Sequence, residues 1–515
     1  MIWSATVDDG ADVSPLQQAA IALAREASRR EPGKRSDTLR ETHCAWVLLI
    51  GSAAVKWKKA LDLGFVDWRT VTAREHACRR EVELNRQFAP DVYRDVLAVS
   101  DGAGHVREWL VLMDRMPADR RMSTLVTGGR LVDDALRAVA HTLATHHAAA
   151  RRSARIEANG TPDALLARWM SNIDALAVDD QLISPEHLTA LTGLVRDYLA
   201  GCRPLLQARL AAGRIRDGHG DLLADDIFCL DDGARILDCL EFDDDLRAVD
   251  GVDDAAVLAM DLERIGAPGL AQEFMNQFIE FTADPCPPSL IHHYIAYRAV
   301  MRAKIAAIRA RQGDPDAAAQ GRLLIDIGRR HLRQARPAMI LVGGLPGTGK
   351  TTVASDLADS LGGVLLRSDR IRKESAGVDP NGGCRGDVGL YTAERTRETY
   401  RLMIERAQLL LGHGESVIMD ATWSSTQARA EARAVAADRR ATVHELRCVA
   451  PAEVADARIR DRQATGNDPS DATPEIAHAL ATTYNPWPEA TDIDTTQSIA
   501  DTSHEAQTAL HLDDQ

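Results

Sequence analysis

A glycine-rich segment in the second half of the chain has the residue types and the spacing that bind phosphate. Residues 344–351 read Gly-Leu-Pro-Gly-Thr-Gly-Lys-Thr, which fits the pattern G-x-x-x-x-G-K-[ST] between an apolar run and a helical pattern. Such glycines let successive backbone N–H groups turn towards phosphate oxygens, and the N-terminus of the next helix adds positive potential. The predicted nucleotide-binding residues are Gly344, Leu345, Pro346, Gly347, Thr348, Gly349, Lys350, Thr351 and Thr352.

Two of these side chains have individual roles in the prediction. Lys350 is expected to reach the β- and γ-phosphates of ATP, and the Thr351 hydroxyl is expected to bind Mg²⁺. The alternative interpretation is a glycine turn that only joins a strand to a helix.

Two carboxylates at the ends of short apolar runs predict acid–base and metal chemistry for the same site. Asp369 follows the run Val364–Leu366, at the strand end where parallel sheets bind ligands, and is the predicted general base for an attacking hydroxyl. Asp420 ends the run Ser416–Met419 and is the predicted carboxylate that holds Mg²⁺ through water. The alternatives are a helix N-cap for Asp369 and a loop-capping residue for Asp420.

Two arginines one helical turn apart, Arg458 and Arg462, are predicted to close over the transferred phosphate, unless they form an ordinary solvated face. Asp369-x-x-Arg372, the strand end Asp420-Ala-Thr and this arginine pair resemble the P-loop kinases that act on small molecules and nucleic-acid ends. That class includes zeta-toxin-like, gluconate-kinase-like and polynucleotide-kinase-like enzymes. The resemblance implies Asp369 as the base and leaves the acceptor open among sugar, nucleotide-sugar, antibiotic and nucleic-acid hydroxyls.

A second constellation, in the first half of the chain, has the spacing of protein-kinase-like chemistry. Asp221, in the segment His-Gly-Asp, precedes Asp226 by five residues, and Asp238 ends the next predicted strand. In such kinases a loop Asp positions the acceptor hydroxyl, while a residue five positions later and a strand-end Asp bind metal. Upstream, Lys56 on a hairpin strand and Glu81 on the next helix are predicted to pair and clamp the nucleotide phosphates. Each feature alone also fits a solvated lysine or an Asp-rich turn.

The first half also resembles the aminoglycoside-phosphotransferase-like half of a bacterial two-domain family whose other half is a P-loop ATP-binding domain. The segments that carry the resemblance are Thr42-His43, Lys56-x-Lys58-Lys59, Asp62-x-Gly-Phe65, Leu84-Asn85, Ala89-Pro-Asp-Val-Tyr93, His219-Gly-Asp221, Asp238-Cys-Leu-Glu-Phe242 and Arg298-Ala-Val-Met-Arg-Ala-Lys304. The resemblance implies ATP and Mg²⁺ as cofactors but no particular substrate.

Two positions depart from that family's pattern, which would place His at Leu223 and Asn at Asp226. Aspartate still ligates Mg²⁺, but its additional negative charge alters the local field. We therefore expect the N-terminal domain to be impaired or to serve only for ligand binding, and the P-loop domain to carry the chemistry.

The elements that must position these residues follow from periodicity and turn signals. The predicted elements of the first half are a hairpin of Ala45–Ile50 and Ala53–Trp57, a helix Thr72–Phe88, a strand Trp109–Met113, and helices within residues 133–155 and 163–211. From Ala338 onwards strands alternate with helices, which is typical of a parallel α/β sheet. We predict an α+β protein-kinase-like domain over residues 1–335, with a helical extension over about residues 12–30, and an α/β P-loop NTPase domain over residues 336–515.

The composition excludes several classes of protein. The 515 residues carry a formal charge of −15, and a surface that negative repels phosphate backbones, so we expect no general nucleic-acid binding. Eight cysteines without a Cys-x-x-Cys pair argue against a disulfide scaffold and a zinc ribbon. The longest uncharged apolar stretch, Thr42–Val55, is shorter than the ~20 residues that span a bilayer, so we expect a cytoplasmic protein without membrane contact.

Together these residues predict an ATP-dependent phosphotransferase that acts on the hydroxyl of an unidentified small molecule. One alternative is a regulatory ATPase that responds to a ligand and transfers phosphate to no metabolite. Another is a nucleic-acid-end kinase, in which a local basic patch engages a terminal phosphate; the patch is Arg367, Arg370, Arg372 and Lys373. The sequence leaves open the oligomeric state and any communication between the two ATP sites.

Overall fold

The computed structural model describes residues 3–5, 38–42, 44–62, 66–101, 103–178, 182–378, 392–465 and 473–511. The helical extension expected over about residues 12–30 lies outside these residues, as do His43, Phe65 and Cys384. The chain divides into two compact units, the first formed by residues 1–165, 209–285 and 297–327, and the second by residues 166–208, 286–296 and 328–515. The domain boundary near residue 336 stays a prediction.

An antiparallel sheet forms one end of the first unit. In the described part of the chain its strands are β1 (Trp3–Ala5), β2 (Thr38–Glu41), β3 (Ala45–Ile50), β4 (Ala53–Lys58), β5 (Tyr93–Ser100) and β6 (Val106–Asp114), in the order β1-β2-β3-β4-β6-β5. The hairpin predicted around Gly51 is confirmed, with Leu48 paired to Val55. Alternate side chains of β3 and β4, including Leu48 and Val55, pack into an apolar core on one face, while the other face carries Lys56 and contributes Ala54 to a second apolar core.

Helix α1 (Val71–Asn85) brings polar side chains to that sheet. It begins after Thr70, whose hydroxyl accepts a 3.1 Å hydrogen bond from the Ala73 N–H, and it ends three residues before the predicted end at Phe88. Two of its polar side chains, Glu81 and Asn85, are fully buried. Buried polar groups need partners, so these two positions point to a site rather than to a plain core.

The rest of the first unit surrounds a loop that carries the predicted acidic residues. Its strands are β7 (Ile215–Asp217), β8 (Ile227–Leu230), β9 (Gly233–Ile236) and β10 (Ala248–Asp250); β7 pairs with β10, and β8 pairs with β9. The helices that follow α1 along the chain are α2 (Met122–Thr127), α3 (Asp133–Ala149), α4 (Ala154–Asn159), α5 (Pro162–Leu176), α6 (Pro185–Gly201), α7 (Arg203–Ala211), α8 (Asp244–Arg247), α9 (Gly251–Arg264), α10 (Pro268–Thr282), α11 (Pro288–Arg311) and α12 (Ala317–Gln334). Of these, α6, most of α5 and α7, the start of α11 and the end of α12 belong to the second unit.

One expectation about this loop is wrong in detail. Asp238 was expected to end a strand, but β9 ends at Ile236 and Asp238 lies two residues beyond it, with a left-handed φ of 64°. Non-glycine residues adopt this conformation rarely, and aspartate does so more readily than most. The turn redirects the carboxylate so that it meets Lys56, as described below.

The second unit contains the predicted parallel α/β sheet. Its described strands are β11 (Ala338–Gly343), β12 (Val364–Arg367), β13 (Val417–Asp420), β14 (Thr442–Val449) and β15 (Thr491–Asp494), all parallel, in the order β12-β13-β11-β14-β15. The helices between and after them are α13 (Lys350–Leu361), α14 (Ser368–Ser375), α15 (Ala393–Gly412), α16 (Thr426–Asp438), α17 (Ala452–Thr465), α18 (Pro474–Thr483) and α19 (Ile499–His511).

Side chains of the central strand β11 alternate between two apolar cores, one on each face of the sheet. Met339 and Leu341 pack in one core, whereas Ile340 and Val342 pack in the other. Burial on both faces is typical of a doubly wound sheet, whose ligands bind at the carboxyl ends of the strands. Among the described residues, no helix combines the length and the apolar character that crossing a bilayer requires.

Candidate active site

The glycine-rich loop between β11 and α13 has the backbone shape that the sequence predicts. Gly344, Gly347 and Gly349 have φ values of 137°, 83° and 85°, a region that side chains disfavour. A Cβ atom added at Gly347 would stand 2.5 Å from the carbonyl oxygen of Ala455, so the loop also requires glycine there for space. Helix α13 begins at Lys350, so its N-terminus follows the loop directly.

A cleft of about 460 Å³ opens beside this loop. Of the predicted nucleotide-binding residues, Gly347, Gly349, Lys350, Thr351 and Thr352 line it, whereas Gly344, Leu345, Pro346 and Thr348 do not. Arg458 and Arg462 of α17 line the same cleft, so the structure brings the predicted arginine pair to the loop.

Thr495, which follows β15, is a functional candidate that the sequence reasoning missed. Its hydroxyl donates a 2.8 Å hydrogen bond to the Thr348 carbonyl, and the Arg458 guanidinium donates hydrogen bonds to its hydroxyl and carbonyl at 3.2 and 2.7 Å. Arg458 is therefore tied to the loop rather than lying on a solvated helix face. The signal for Thr495 was its place at the carboxyl end of a parallel strand, where such sheets bind ligands.

Asp420, at the end of β13, meets the loop at Thr351. The Thr351 hydroxyl donates a 2.7 Å hydrogen bond to Oδ2 of Asp420, while the buried Oδ1 has no hydrogen-bond partner among the described residues. Burial raises the pKa of Asp420, and the nearby charge of Lys350 opposes that rise. A hydroxyl and a carboxylate with a spare oxygen form the hard-oxygen donor set that Mg²⁺ prefers, so these residues fit the ion.

Asp369 lies in the first turn of α14, just beyond β12, the strand next to β13. The helix begins after Arg367, so the alternative of a helix N-cap for Asp369 is wrong. Arg372 donates a 2.7 Å hydrogen bond to Asp369, and the charge of Asp369 contributes to the raised pKa of Asp420. The two carboxylates therefore lie at the carboxyl ends of two paired, neighbouring strands.

The basic patch expected for a nucleic-acid end is already neutralised within this unit. Arg367, Arg370 and Arg372 lie 3.7, 3.1 and 2.7 Å from the carboxylates of Asp420, Glu374 and Asp369, in that order. The fourth member, Lys373, is buried. Cations that already have carboxylate partners attract a terminal phosphate weakly.

The predicted ion pair of the first unit is present, within a larger buried network. Lys56 lies 2.8 Å from Glu81 and 2.6 Å from Asp238, and Lys58 lies 2.7 Å from the other oxygen of Glu81. Lys58 also pairs with Glu241, a contact that the sequence reasoning did not include. Lys56 lowers the pKa of Asp238, and the two carboxylates raise the pKa of Lys56 against the opposing effect of burial.

The other predicted acidic residues line a cleft of about 880 Å³ together with Lys56 and Asp238. Asp221 lies 3.1 Å from Arg302 of α11. In the sequence analysis Arg302 appears only as part of the resemblance segment Arg298–Lys304. Burial, and then the charges of Asp238 and Asp221, raise the pKa of Asp226 well above its ordinary value. Asp226 therefore holds a proton more tightly than a typical aspartate when no cation is bound.

Hydrogen bonds to Asp254 of α9 fix the loop that carries Asp221. Oxygens of Asp254 accept 2.8 Å hydrogen bonds from the backbone N–H groups of His219 and Gly220, and the carboxylate also contacts His147 at 2.8 Å. These bonds hold the pKa of Asp254 well below its usual range, although burial alone would raise it. A buried carboxylate with three donors orients the loop firmly.

Neither acidic group is a complete metal site by itself. Within the described ranges, no three His, Cys, Asp or Glu side chains come together in a way that could hold a metal ion. In the described part of the chain Cys44, Cys78, Cys202, Cys229, Cys239 and Cys448 form no disulfide.

Comparison with known proteins places this chain in a family. The AAA_33 family model, described as an AAA domain, matches residues 339–486, which span the glycine-rich loop, Asp369 and Asp420. A Mycobacterium tuberculosis protein (strain ATCC 25618 / H37Rv), Uncharacterized protein Rv2004c, is 41% identical over 460 residues, which is 89% of this chain and 92% of the relative. The chain belongs to the family of Rv2004c. In this member the N-terminal region has an α+β fold, and the C-terminal region has an α/β P-loop fold.

Solved structures similar to parts of this family member include two kinases. A choline/ethanolamine kinase family protein from Mesorhizobium loti is 16% identical, covers 61% of this chain and 98% of its own, and has a TM-score of 0.37. A gluconokinase from Sinorhizobium meliloti 1021 is 18% identical, covers 34% of this chain and 91% of its own, and has a TM-score of 0.26.

Proposed function

We propose that the C-terminal P-loop domain, over residues 336–515, transfers the γ-phosphate of ATP to a hydroxyl of a small molecule. The observation that carries the proposal is the contact between Thr351 and Asp420, which leaves one buried carboxylate oxygen free for a cation beside the phosphate-binding loop. Asp369 supports transfer to a hydroxyl, because it supplies a second carboxylate at the neighbouring strand end, oriented by Arg372.

In this proposal each residue has a stated task. The Asp369 carboxylate accepts the proton of the acceptor hydroxyl, whose oxygen bonds to the γ-phosphorus while the bond from that phosphorus to the bridging oxygen breaks and ADP leaves. Lys350, Arg458 and Arg462 offset the negative charge on the transferred group. Thr351 and Asp420 would hold Mg²⁺, which supplies further charge neutralisation when bound.

We assign the N-terminal domain, over residues 1–335, a ligand-binding role in the same protein. Asp226 supports this assignment, because it stands where the family's pattern has Asn and adds a negative charge beside Asp221 and Asp238. Leu223 adds no polar group to the loop that carries Asp221. Both ligands, ATP and the acceptor, are metabolites of the cytoplasm in this proposal.

The test is the variant Asp369→Asn, compared with Asp359→Asn. Asp359 is an exposed carboxylate on α13 of the same unit, so its variant controls for the loss of one negative charge. We expect Asp369→Asn to bind ATP as the wild type does, while transfer to the acceptor falls by about 10²- to 10⁴-fold, as is typical when a general base is lost. Undiminished transfer by Asp369→Asn would exclude Asp369 as the base.

A further inference from the structure

Two arginines in the cleft of the first unit stand apart from its other cations. Arg40 lies on β2 and Arg121 lies directly before α2, and both line the cleft that contains Lys56. Arg40 pairs with Val47 across β2 and β3, and Val47 pairs with Lys56 across β3 and β4. These three side chains therefore form a row on one face of the sheet, with Arg40 about 10 Å from Lys56 at two strand spacings.

The charge of Lys56 is balanced by protein carboxylates, but that of Arg40 is not. Lys56 contacts two carboxylates within 2.8 Å. In the described part of the structure the Arg40 side chain makes no hydrogen bond or ion pair, and its Nε is buried without an acceptor. A buried N–H donor without an acceptor is unfavourable in the ligand-free protein.

Arg121 is only weakly balanced. Its nearest carboxylate, Asp225, is 3.9 Å away and also accepts a hydrogen bond from Ser123, while the Arg121 Nε is buried without an acceptor among the described residues. Its guanidinium lies 5.2 Å from the centre of the Phe228 ring, which fixes its position over the cleft floor.

The two arginines also repel one another. Both guanidinium groups belong to side chains that line the same cleft, and burial and then the charge of Arg121 lower the pKa of Arg40. Two like charges that line one cleft, each with a buried Nε–H that has no acceptor among the described residues, are stabilised by an anion that contacts both.

We propose that Arg40 and Arg121 form an anion site in the N-terminal cleft that takes a phosphoryl group. Guanidinium groups match phosphate oxygens with paired N–H donors, which makes this ligand chemistry the best fit. The phosphoryl group belongs either to a nucleotide in the same cleft or to a second, phosphorylated ligand. The cleft volume of about 880 Å³ is in the range that accommodates such ligands. This site is separate from the phosphate-binding loop of the proposed function.

The experiment measures ligand binding by calorimetry in the full chain carrying Lys350→Ala, which weakens phosphate binding at the loop of the second unit. Arg40→Gln and Arg121→Gln are compared with Arg107→Gln, which removes an exposed arginine that is paired with Asp101 in the same unit. The probes are ATP, adenosine, and pyrophosphate added with or without saturating ATP. Thermal denaturation of each variant, together with Arg40→Lys, checks that the fold is kept.

We expect each cleft variant to bind the phosphate-bearing probes about 10- to 100-fold more weakly, as the loss of a charge-assisted hydrogen bond predicts. The affinity for adenosine should not change, and Arg107→Gln should bind every probe as its parent does. If the cleft variants weaken the binding of ATP but not of pyrophosphate to the ATP-saturated protein, the phosphoryl group belongs to the nucleotide. Weaker pyrophosphate binding to the ATP-saturated protein identifies a second ligand. The proposal is overturned if every probe binds the cleft variants as tightly as the control, or if the Lys350→Ala parent binds none of the phosphate-bearing probes.

Discussion

Replacing Gly347 by alanine tests whether the shape of the phosphate-binding loop determines nucleotide affinity. At the observed φ of 83° an L-residue carries a strain of about 1–2 kcal/mol. In addition, the new Cβ would lie 2.5 Å from the Ala455 carbonyl oxygen, so either the loop or the start of α17 must move. That oxygen belongs to the backbone, and a side-chain rotation cannot relieve the contact.

The strain is expected to appear as lost affinity. A loop without nucleotide can relax into another shape, whereas a loop that wraps phosphate cannot, so ligand binding must restore the strained conformation. A cost of about 1–2 kcal/mol corresponds to a 5- to 30-fold weaker Kd for ATP, and the backbone contact adds to this. The assay is titration with a fluorescent ATP analogue in a Lys56→Met background, which weakens binding in the N-terminal cleft.

Gly362→Ala is the matched control. Gly362 ends α13 at a φ of 61°, and a Cβ added there would meet nothing within 4 Å. This variant carries similar backbone strain but no contact with α17, so it should cost stability and leave ATP affinity unchanged. The reasoning is refuted if folded Gly347→Ala binds ATP within twofold of the parent, or if Gly362→Ala weakens binding equally.

Three further predictions concern the networks around the two sites. Lys58→Met should destabilise the protein by about 3–5 kcal/mol, because it leaves Glu241 as a buried unpaired charge. The control, Lys59→Met at the partly exposed neighbour, should cost less than about 1 kcal/mol, and calorimetric unfolding measures both changes. Asp226→Asn should raise the unfolding temperature of the ligand-free protein at neutral pH. Because the pKa of Asp226 is higher in the folded protein than in the unfolded chain, the stability of the wild type falls as the pH rises from the unfolded-state pKa towards the folded-state pKa. An amide does not titrate, so the variant avoids this loss. The unfolding temperatures of the wild type and the variant should therefore converge at acidic pH. Thr495→Val should weaken ATP binding by roughly tenfold, because the buried Thr348 carbonyl loses a 2.8 Å hydrogen bond of about 1–3 kcal/mol, and nucleotide titration measures the change.

Local sequence patterns predicted the parts of the sites that depend on short stretches of chain. The spacing of Gly344–Thr351 fixes both the turn and the start of α13, because glycine conformations and helix N-termini are local properties. Asp420 and Asp369 could be found because each follows an apolar run that must be a strand in an α/β pattern. Their proximity to each other followed from the rule that ligands bind at the strand ends of a parallel sheet.

Contacts between residues far apart in the chain were harder to predict. Strand β14 was not singled out, because its buried Glu445 breaks the apolar pattern; that carboxylate is satisfied by Arg433 and by Trp487, which are 12 and 42 residues away. Lys58 has no predicted partner in the sequence analysis, where it is only part of a resemblance segment, and only the fold brings Glu81 and Glu241 to it. Such partners depend on tertiary packing, which periodicity does not encode.

The central claim is that phosphoryl transfer takes place in the P-loop domain. The most direct measurement follows labelled γ-phosphate from ATP into a fractionated cytosolic metabolite extract, with the wild type, Lys350→Ala and Asp221→Ala assayed side by side. The account predicts a labelled metabolite with the wild type and Asp221→Ala, and none with Lys350→Ala. A labelled product that is made by Lys350→Ala but not by Asp221→Ala would contradict the account, because it would place the chemistry in the N-terminal cleft. Release of free phosphate alone by the wild type would also contradict it, because it would indicate a regulatory ATPase instead of a kinase.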